Sequence, residues 1–144
     1  MSTLTTRRTK LILSIALGML GCSLVSCSTT TNRDIAEKAV ESFHAQYNSQ
    51  LFESIQLTAA PEFKGGGAAG KAYLEKVFET VGKVTSSQQG VGSVQNMAGE
   101  AQVNLMYMTE FANTSASETF VFRVKDKRAR LVFYEVGLKD LSDN

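Results

Sequence analysis

The segment that most constrains this 144-residue chain is an apolar stretch close to its N-terminus. A polar start containing Arg7, Arg8 and Lys10 precedes an apolar run over residues 11–20, and small residues and two cysteines follow. This order is typical of a secretory signal peptide. The alternative is a membrane anchor, but even residues 11–25 would extend only about 22 Å as a helix, against a hydrocarbon core of about 30 Å. We therefore predict a cleaved leader that takes no part in the fold.

The end of this leader, Leu-Val-Ser-Cys at residues 24–27, resembles the lipobox of bacterial lipoproteins. In that family the cysteine thiol receives a diacylglyceryl group, a peptidase cuts before the cysteine, and the new amino group is usually acylated, commonly with palmitate. The resemblance implies a signal peptide over residues 1–26 and lipidation of Cys27. Ser28 in place of aspartate is typical of lipoproteins passed to an outer membrane, where the envelope has one. The alternatives are a weaker match ending at Cys22 and ordinary secretion with a free thiol.

Removal of the leader changes the composition of the remaining chain. Cys22 leaves with the leader and Cys27 would carry lipid, so no thiol is left for a disulfide, a metal site or nucleophilic chemistry. The leader also holds three of the fifteen basic residues, which leaves twelve against fourteen acidic ones and a net charge near −2. A mildly acidic domain without a basic stripe is a poor candidate for nucleic-acid binding. We predict no metal, no cofactor and no nucleic-acid partner.

Helical periodicity dominates the first half of the remaining chain, a single domain over residues 34–144. Residues 27–33 form the lipidated cysteine and a polar tether rather than a regular element. Apolar residues then recur at steps of three and four and predict a helix over about 34–55, either continuous or divided at Asn48-Ser49. A second apolar face predicts a helix over about 71–82 that Gly82 ends.

A glycine-rich segment between these helices satisfies two phosphate-binding spacings. Gly65, Gly67 and Gly70 fit G-x-G-x-x-G, and Lys71 adds most of a P-loop motif. However, no strand is predicted before the loop, and Ala72 stands where a P-loop carries the hydroxyl that binds magnesium. We interpret the segment as a loop between helices and predict no nucleotide.

His44 is the only histidine in the chain, and it lies beside the apolar stripe of the first helix. One imidazole without cysteine or a carboxylate cluster cannot build a metal site of the usual kind. As a general base it would need an orienting partner, and Glu41 and Asn48 are the only polar side chains one turn away. We therefore expect a solvated histidine at the boundary of the core.

From Lys83 onward the hydrophobic period changes to two and predicts an antiparallel sheet of about four strands over residues 83–137. Its first strand is polar and contains glycines, which favours a twisted or bulged strand. Alternation places Leu131 and Phe133 together on one face of the last strand, opposite Val132, Tyr134 and Val136. Both faces of the sheet therefore carry apolar residues. Either the sheet curls around a pocket or its outer face packs on a second copy of the chain. The third alternative is that apolar residues on both faces only reflect the general preference of strands for apolar residues.

Two helices followed by four antiparallel strands resemble the cone-shaped nuclear-transport-factor-two-like superfamily, which includes ketosteroid isomerases and polyketide cyclases. Closer still are small bacterial lipoproteins of that superfamily without an assigned role. The segments that carry the resemblance are residues 59–63, 74–78, 81–84, 107–111, 118–123 and 134–136. It implies an α+β fold with a curved sheet around the first helix, a conical cavity and dimers formed through the sheet.

The resemblance does not transfer a catalytic set. Glu110 and Tyr107 are three apart on one strand, so their side chains diverge. We predict a non-enzymatic domain that binds a small apolar ligand or an envelope protein. The alternatives are a dimeric assembly accessory of the envelope and an isomerase- or cyclase-like enzyme, which would need a buried carboxylate in the cone. The predicted ligand pocket contains Phe43, Tyr47, Tyr107 and Phe122, and the predicted dimer interface contains Met108, Leu131 and Phe133.

Overall fold

The computed structural model describes residues 24–63 and 68–138. The predicted leader up to residue 23, with Cys22, and the glycines at 65–67 lie outside these residues. Three helices precede four strands, and this confirms the predicted α+β class. In chain order the elements are α1 Leu24–Asn48, α2 Phe52–Thr58, α3 Ala68–Val81, β1 Val84–Met97, β2 Glu100–Phe111, β3 Ser115–Lys125 and β4 Arg128–Leu138.

The helix predicted over about 34–55 is divided into two helices, which was one of the two predicted alternatives. α1 ends at Asn48, and α2 begins at Phe52 after Gln50 adopts a φ of 58°. The prediction of a tether was wrong for the backbone, because α1 is already helical from Leu24 and runs through residues 28–32. That segment is rich in serine and threonine but contains neither glycine nor proline, so nothing in it breaks a helix.

The four strands form one curved antiparallel sheet in the order β1-β2-β3-β4. β1 is bulged, as predicted, with register shifts between Val84 and Ser86 and between Gln89 and Gly92. Asp126 and Lys127 join β3 to β4, and both have positive φ, as a two-residue type I′ turn requires. The short connections explain why each strand pairs with its neighbour in sequence.

A bulge in β4 changes which of its side chains face the helices. Phe122 pairs with Leu131, whereas Val121 pairs with Phe133, so the register shifts by one residue between them. Leu131 and Tyr134 therefore both point to the inner face, where they are 5% and 3% exposed. The prediction that Leu131 shares the outer face with Phe133 was wrong, because strict alternation does not survive a bulge.

The helices pack on the inner face of the sheet and fill much of it with aromatic rings. The ring of Phe43 from α1 lies 5.2 Å from that of Phe120 and 4.6 Å from that of Tyr134. The rings of Phe120 and Tyr134 are themselves 5.0 Å apart. Such distances are within the range of aromatic pairs that stabilise cores beyond simple burial. The core is therefore packed where a fully open cone would be hollow.

Candidate functional site

A groove of about 220 Å³ opens between α1, α2 and the β3–β4 hairpin. Phe43, Ile55, Phe122 and Leu131 are buried and form its floor. The three- and four-residue spacing of α1 brings one stripe of that helix to the groove. The remaining lining residues are Ala39, Ser42, Gln46, Thr58, Ala59 and Ala129. We call this site the α1–β4 groove.

Gln46 gives the α1–β4 groove a polar group that lacks a partner. Its Nε2 donates hydrogen bonds to the Ser42 carbonyl at 3.4 Å and to Ser42 Oγ at 3.1 Å. Its Oε1 is buried and accepts no hydrogen bond from any of the described residues. A buried acceptor without a donor costs about 1–3 kcal/mol. The atom has almost no accessible surface, so a ligand with an N–H or O–H group would supply the missing donor once the Gln46 side chain turns into the groove.

The structure brings together two of the four residues predicted to line a ligand pocket. Phe43 and Phe122 lie in the floor of the α1–β4 groove, but Tyr47 and Tyr107 lie elsewhere. Tyr47 packs beside Phe78 and donates a hydrogen bond to the Gly82 carbonyl at 3.2 Å. Tyr47 is therefore a core residue near the C-terminal end of α1.

Tyr107 lies on the inner face beside His44 and Phe120, with ring centroids 6.3 and 5.8 Å away. Burial raises the pKa of the Tyr107 phenol to about 12. Burial and the nearby Glu118 carboxylate also raise the pKa of Tyr47. Both hydroxyls are therefore neutral at physiological pH and can act as hydrogen-bond donors.

A second polar site lies in the core, centred on a carboxylate that sequence reasoning missed. Glu118 of β3 is 0% exposed. Its Oε1 accepts a hydrogen bond from the Tyr134 hydroxyl at 2.7 Å, and its Oε2 accepts one from Thr109 at 2.5 Å. Oε2 is also 2.8 Å from His44 Nε2. We call these four residues the Glu118 network.

The expectation that His44 is a solvated boundary residue was wrong. Its side chain is only 12% exposed, because Glu118 draws the imidazole tip into the core. The pattern of β3 could have revealed that Glu118 is buried, although not that His44 is its partner. Residues 116, 118, 120, 122 and 124 alternate onto one face, and Glu118 is the only charged residue among them.

The four side chains of the Glu118 network are held in place by their contacts with one another. Thr109 of β2 and Tyr134 of β4 each donate a hydrogen bond to one carboxylate oxygen, and His44 of α1 lies within hydrogen-bond distance of Oε2. Burial, followed by the charge and hydrogen bond of Glu118, raises the pKa of Tyr134 well above its usual value. Glu110 lies on the outer face, where it is exposed and accepts a hydrogen bond from Ser115. Glu110 and Tyr107 therefore diverge, as predicted.

The residues predicted for a dimer interface are separated by the sheet. Met108 is 45% exposed on the outer face, and Met106, two residues before it, is 44% exposed. Phe133 lies on the same face but is partly buried, and Leu131 is inside.

The described part of the chain contains no group of three His, Cys, Asp or Glu side chains placed to hold a metal. Within residues 24–63 and 68–138, no helix is long and apolar enough to cross a membrane.

Comparison with known proteins gives similarity in structure only. No known protein family matches this chain, and no curated protein matches it. A de novo designed protein with a curved β-sheet has a TM-score of 0.47 and 13% identity, covering 72% of this chain and 99% of the designed one. Bd1075 from Bdellovibrio bacteriovorus has the same TM-score and identity, covering 71% of this chain and 38% of its own. At these values neither similarity bears on function. The class defined by the structure is an α+β domain with helices on a curved antiparallel sheet.

Proposed function

We propose that this chain is an exported lipoprotein of the nuclear-transport-factor-two-like superfamily, whose domain binds a small apolar ligand without converting it. Lipid on Cys27 would anchor it to the cell membrane or, where the envelope has one, to the periplasmic face of the outer membrane. Three helices on a curved four-stranded sheet support the superfamily assignment. The lipobox supports the anchor, and the α1–β4 groove supports the binding function.

The anchor rests on the sequence around Cys27, which lies near the start of α1. Burial of acyl chains contributes about 0.8 kcal/mol per CH₂ group, so two or three chains hold a protein on a membrane almost permanently. Cys27→Ala in the full chain should therefore block lipidation and release the protein from bacterial membranes. Cell fractionation and the intact mass of the protein measure both effects. Cys22→Ala is the matched control and should change neither. Unchanged membrane retention of Cys27→Ala would contradict the anchor.

The single observation that carries the binding function is the buried Gln46 Oε1 beside a groove whose floor is apolar. A cavity of about 150 Å³ is known to hold benzene, and the pockets that bind drug-sized ligands have volumes of about 300–1,000 Å³. The groove, at about 220 Å³, therefore fits one ring or a short hydrocarbon chain. The unsatisfied oxygen favours a ligand that carries one hydrogen-bond donor.

Two probes that differ in one hydroxyl test this function. We expect p-cresol to bind about three- to tenfold more tightly than toluene, because a neutral hydrogen bond contributes about 0.5–1.5 kcal/mol. Ligand-observed NMR with the mature lipoprotein measures both affinities. Gln46→Met removes the acceptor at similar volume and should abolish the preference. Gln95→Met, at an exposed position of β1, is the control. Absence of binding by both probes would contradict the proposal.

The Glu118 network supports a non-enzymatic domain over an isomerase- or cyclase-like enzyme. A general base must reach the proton of a substrate. Glu118 is 0% exposed, does not line the α1–β4 groove and is held by Thr109, His44 and Tyr134. The network instead ties α1 to β2, β3 and β4. We therefore assign it a role in stability.

A second candidate function is that of a dimeric assembly accessory of the envelope, or a domain that binds an envelope protein. The observation that favours it is the pair of exposed methionines, Met106 and Met108, on the outer face of the sheet. Adjacent exposed apolar side chains are more common at protein interfaces than elsewhere on a surface.

A further inference from the structure

The turn between β3 and β4 carries a concentration of positive charge in a domain that is acidic overall. Lys125, Lys127, Arg128 and Arg130 are all exposed, and we call them the basic tip. Asp126 is the only acidic residue within this stretch. Among the described residues none of the four forms an ion pair.

Two acidic side chains close to the basic tip are paired with Arg123. Arg123 Nη1 lies 2.6 Å from Glu62 Oε1, and its Nε lies 3.3 Å from Glu100 Oε1. These two carboxylates and Arg123 together carry a net charge of −1. With the four cations of the basic tip and Asp126, the local charge is near +2, at a turn that projects from the end of the sheet.

The position of the basic tip relative to the N-terminus follows from contacts between α1 and β1. At one end, Asn48 Nδ2 donates to the Val84 carbonyl at 2.9 Å. Further along, Gln89 Nε2 donates to Glu37 Oε1 at 2.6 Å. As β1 advances from Val84 to Gln89, its partners on α1 therefore recede from Asn48 to Glu37. The helix runs antiparallel to β1.

The start of α1 therefore lies at the end of the sheet where β1 finishes. From Glu37 back to Cys27 the helix extends about 15 Å at 1.5 Å per residue. From Gln89 to Met97, β1 extends about 26 Å in the same direction. Antiparallel pairing brings the end of β3 to this same end of the sheet, because Ala101 of β2 pairs with Val124. The lipidation site and the basic tip thus share one end of the domain.

Met97 adds an apolar side chain to the same end. It is 57% exposed at the close of β1, where the chain turns through Ala98 and Gly99 into β2. The two strand-end turns on this side therefore present one exposed hydrocarbon side chain and one cationic cluster. Anionic phospholipid headgroups above a hydrocarbon layer complement that combination.

We propose that the basic tip lies on the surface of the anchoring membrane and binds anionic phospholipid headgroups. This inference rests on the proposed lipid at Cys27, which would hold this end of the domain against the bilayer. Each basic residue near an anionic surface strengthens contact by about fivefold, and the attraction extends about 10 Å at an ionic strength of 0.1 M. The contact would fix the orientation of the domain, so that the α1–β4 groove keeps a constant position relative to the lipid.

Lysine footprinting of the mature lipoprotein on vesicles tests the proposal. The protein is reconstituted in phosphatidylcholine alone or mixed with phosphatidylglycerol, and acetylation rates are read by mass spectrometry. We expect Lys125 and Lys127 to react severalfold more slowly on the anionic vesicles. Lys71 and Lys76, on α3, should react equally on both. At about 1 M salt, where the Debye length is about 3 Å, the difference should disappear.

A matched pair of double variants removes two charges from different places. Arg128→Gln with Arg130→Gln leaves both reporter lysines intact and should abolish most of their severalfold protection, because each arginine strengthens the contact by about fivefold. Lys71→Gln with Lys76→Gln removes the same charge from α3 and should leave protection of the tip unchanged. All four positions are exposed, so neither variant should disturb folding.

The outcomes separate this inference from the proposed function. Intact mass reports whether Cys27 carries lipid, independently of the footprint. A protein without lipid would overturn the anchor, and its tip can still be footprinted after mixing with the same vesicles. Equal reactivity of Lys125 and Lys127 on both vesicles would overturn the membrane contact of the tip. Protection of the same lysines by inorganic phosphate without vesicles would assign the tip to a soluble anion and also overturn it.

Discussion

His44 Nε2 lies 2.8 Å from Glu118 Oε2, although the two residues are 74 positions apart in the chain. The pair joins α1 to the inner face of β3, and hydrogen bonds from Thr109 and Tyr134 extend it to β2 and β4. A carboxylate at this depth persists only because donors compensate the loss of water. The Glu118 network is therefore a polar link between the helices and the sheet.

Removal of this carboxylate should destabilise the fold strongly. We expect Glu118→Ala to lower the free energy of unfolding by about 3–5 kcal/mol, because three buried donors lose their acceptor. Glu118→Gln keeps the shape and one acceptor and should cost about 1–3 kcal/mol. Urea denaturation measures both values. Glu135→Gln, at an exposed position of β4, should stay within about 0.5 kcal/mol of wild type. Equal costs for Glu118→Ala and Glu135→Gln would contradict the role of the network.

The buried tyrosines predict a loss of stability in alkali. The pKa values of Tyr47, Tyr107 and Tyr134 are raised in the folded state, that of Tyr107 to about 12, from an ordinary value of 10. Their contribution is therefore complete below pH 10 and is lost as the pH rises through the folded values. Each tyrosine adds a slope of at most about 1.4 kcal/mol per pH unit. Denaturation from pH 9 upward measures the loss, and Tyr107→Phe should reduce it. A flat profile up to about pH 12 would contradict the prediction.

Two glycines with similar φ values allow the cost of a close side-chain contact to be separated from the cost of a strained backbone. Gly82 and Gly99 have φ values of 80° and 79°. A methyl group at Gly82 would lie 3.0 Å from the Ala112 side chain, whereas Gly99 faces open space. We expect Gly99→Ala to cost about 1–2 kcal/mol from the backbone alone, and Gly82→Ala to cost more. Thermal unfolding of the two variants measures the difference, and a larger effect at Gly99 would contradict the packing at the end of α3.

The second candidate function predicts a dimer formed through the outer face of the sheet. In that case, Met106→Lys combined with Met108→Lys should raise the dissociation constant by tenfold or more, because two charges would be buried without partners. Analytical ultracentrifugation in detergent measures the assembly. Leu57→Lys with Val91→Lys changes two other exposed apolar residues and is the control. A dimer that tolerates the methionine variant would not use this face.

Much of the architecture was predictable, because helical and strand periodicities are local properties of the chain. The change from steps of three and four to steps of two near Lys83 located the boundary between helices and sheet, and β1 begins at Val84. The position of Leu131 was not predictable, since the bulge in β4 depends on how that strand fits against β3. Of the predicted pocket, Phe43 and Phe122 meet in a groove. Tyr47 instead packs beside Phe78, and Tyr107 of β2 packs beside His44 and Phe120, because each residue contacts a different part of the inner face.

By itself the sequence determined the α+β class, the order of the elements and the apolar face of β3, since each of these follows from the spacing of neighbouring residues. Only the tertiary structure decided that His44 meets Glu118, that Gln46 Oε1 is buried without a donor among the described residues, and that the basic tip lies at the same end as Cys27. These relationships join residues far apart in the chain. They depend on how α1 crosses the sheet, and no local pattern in the sequence encodes that packing.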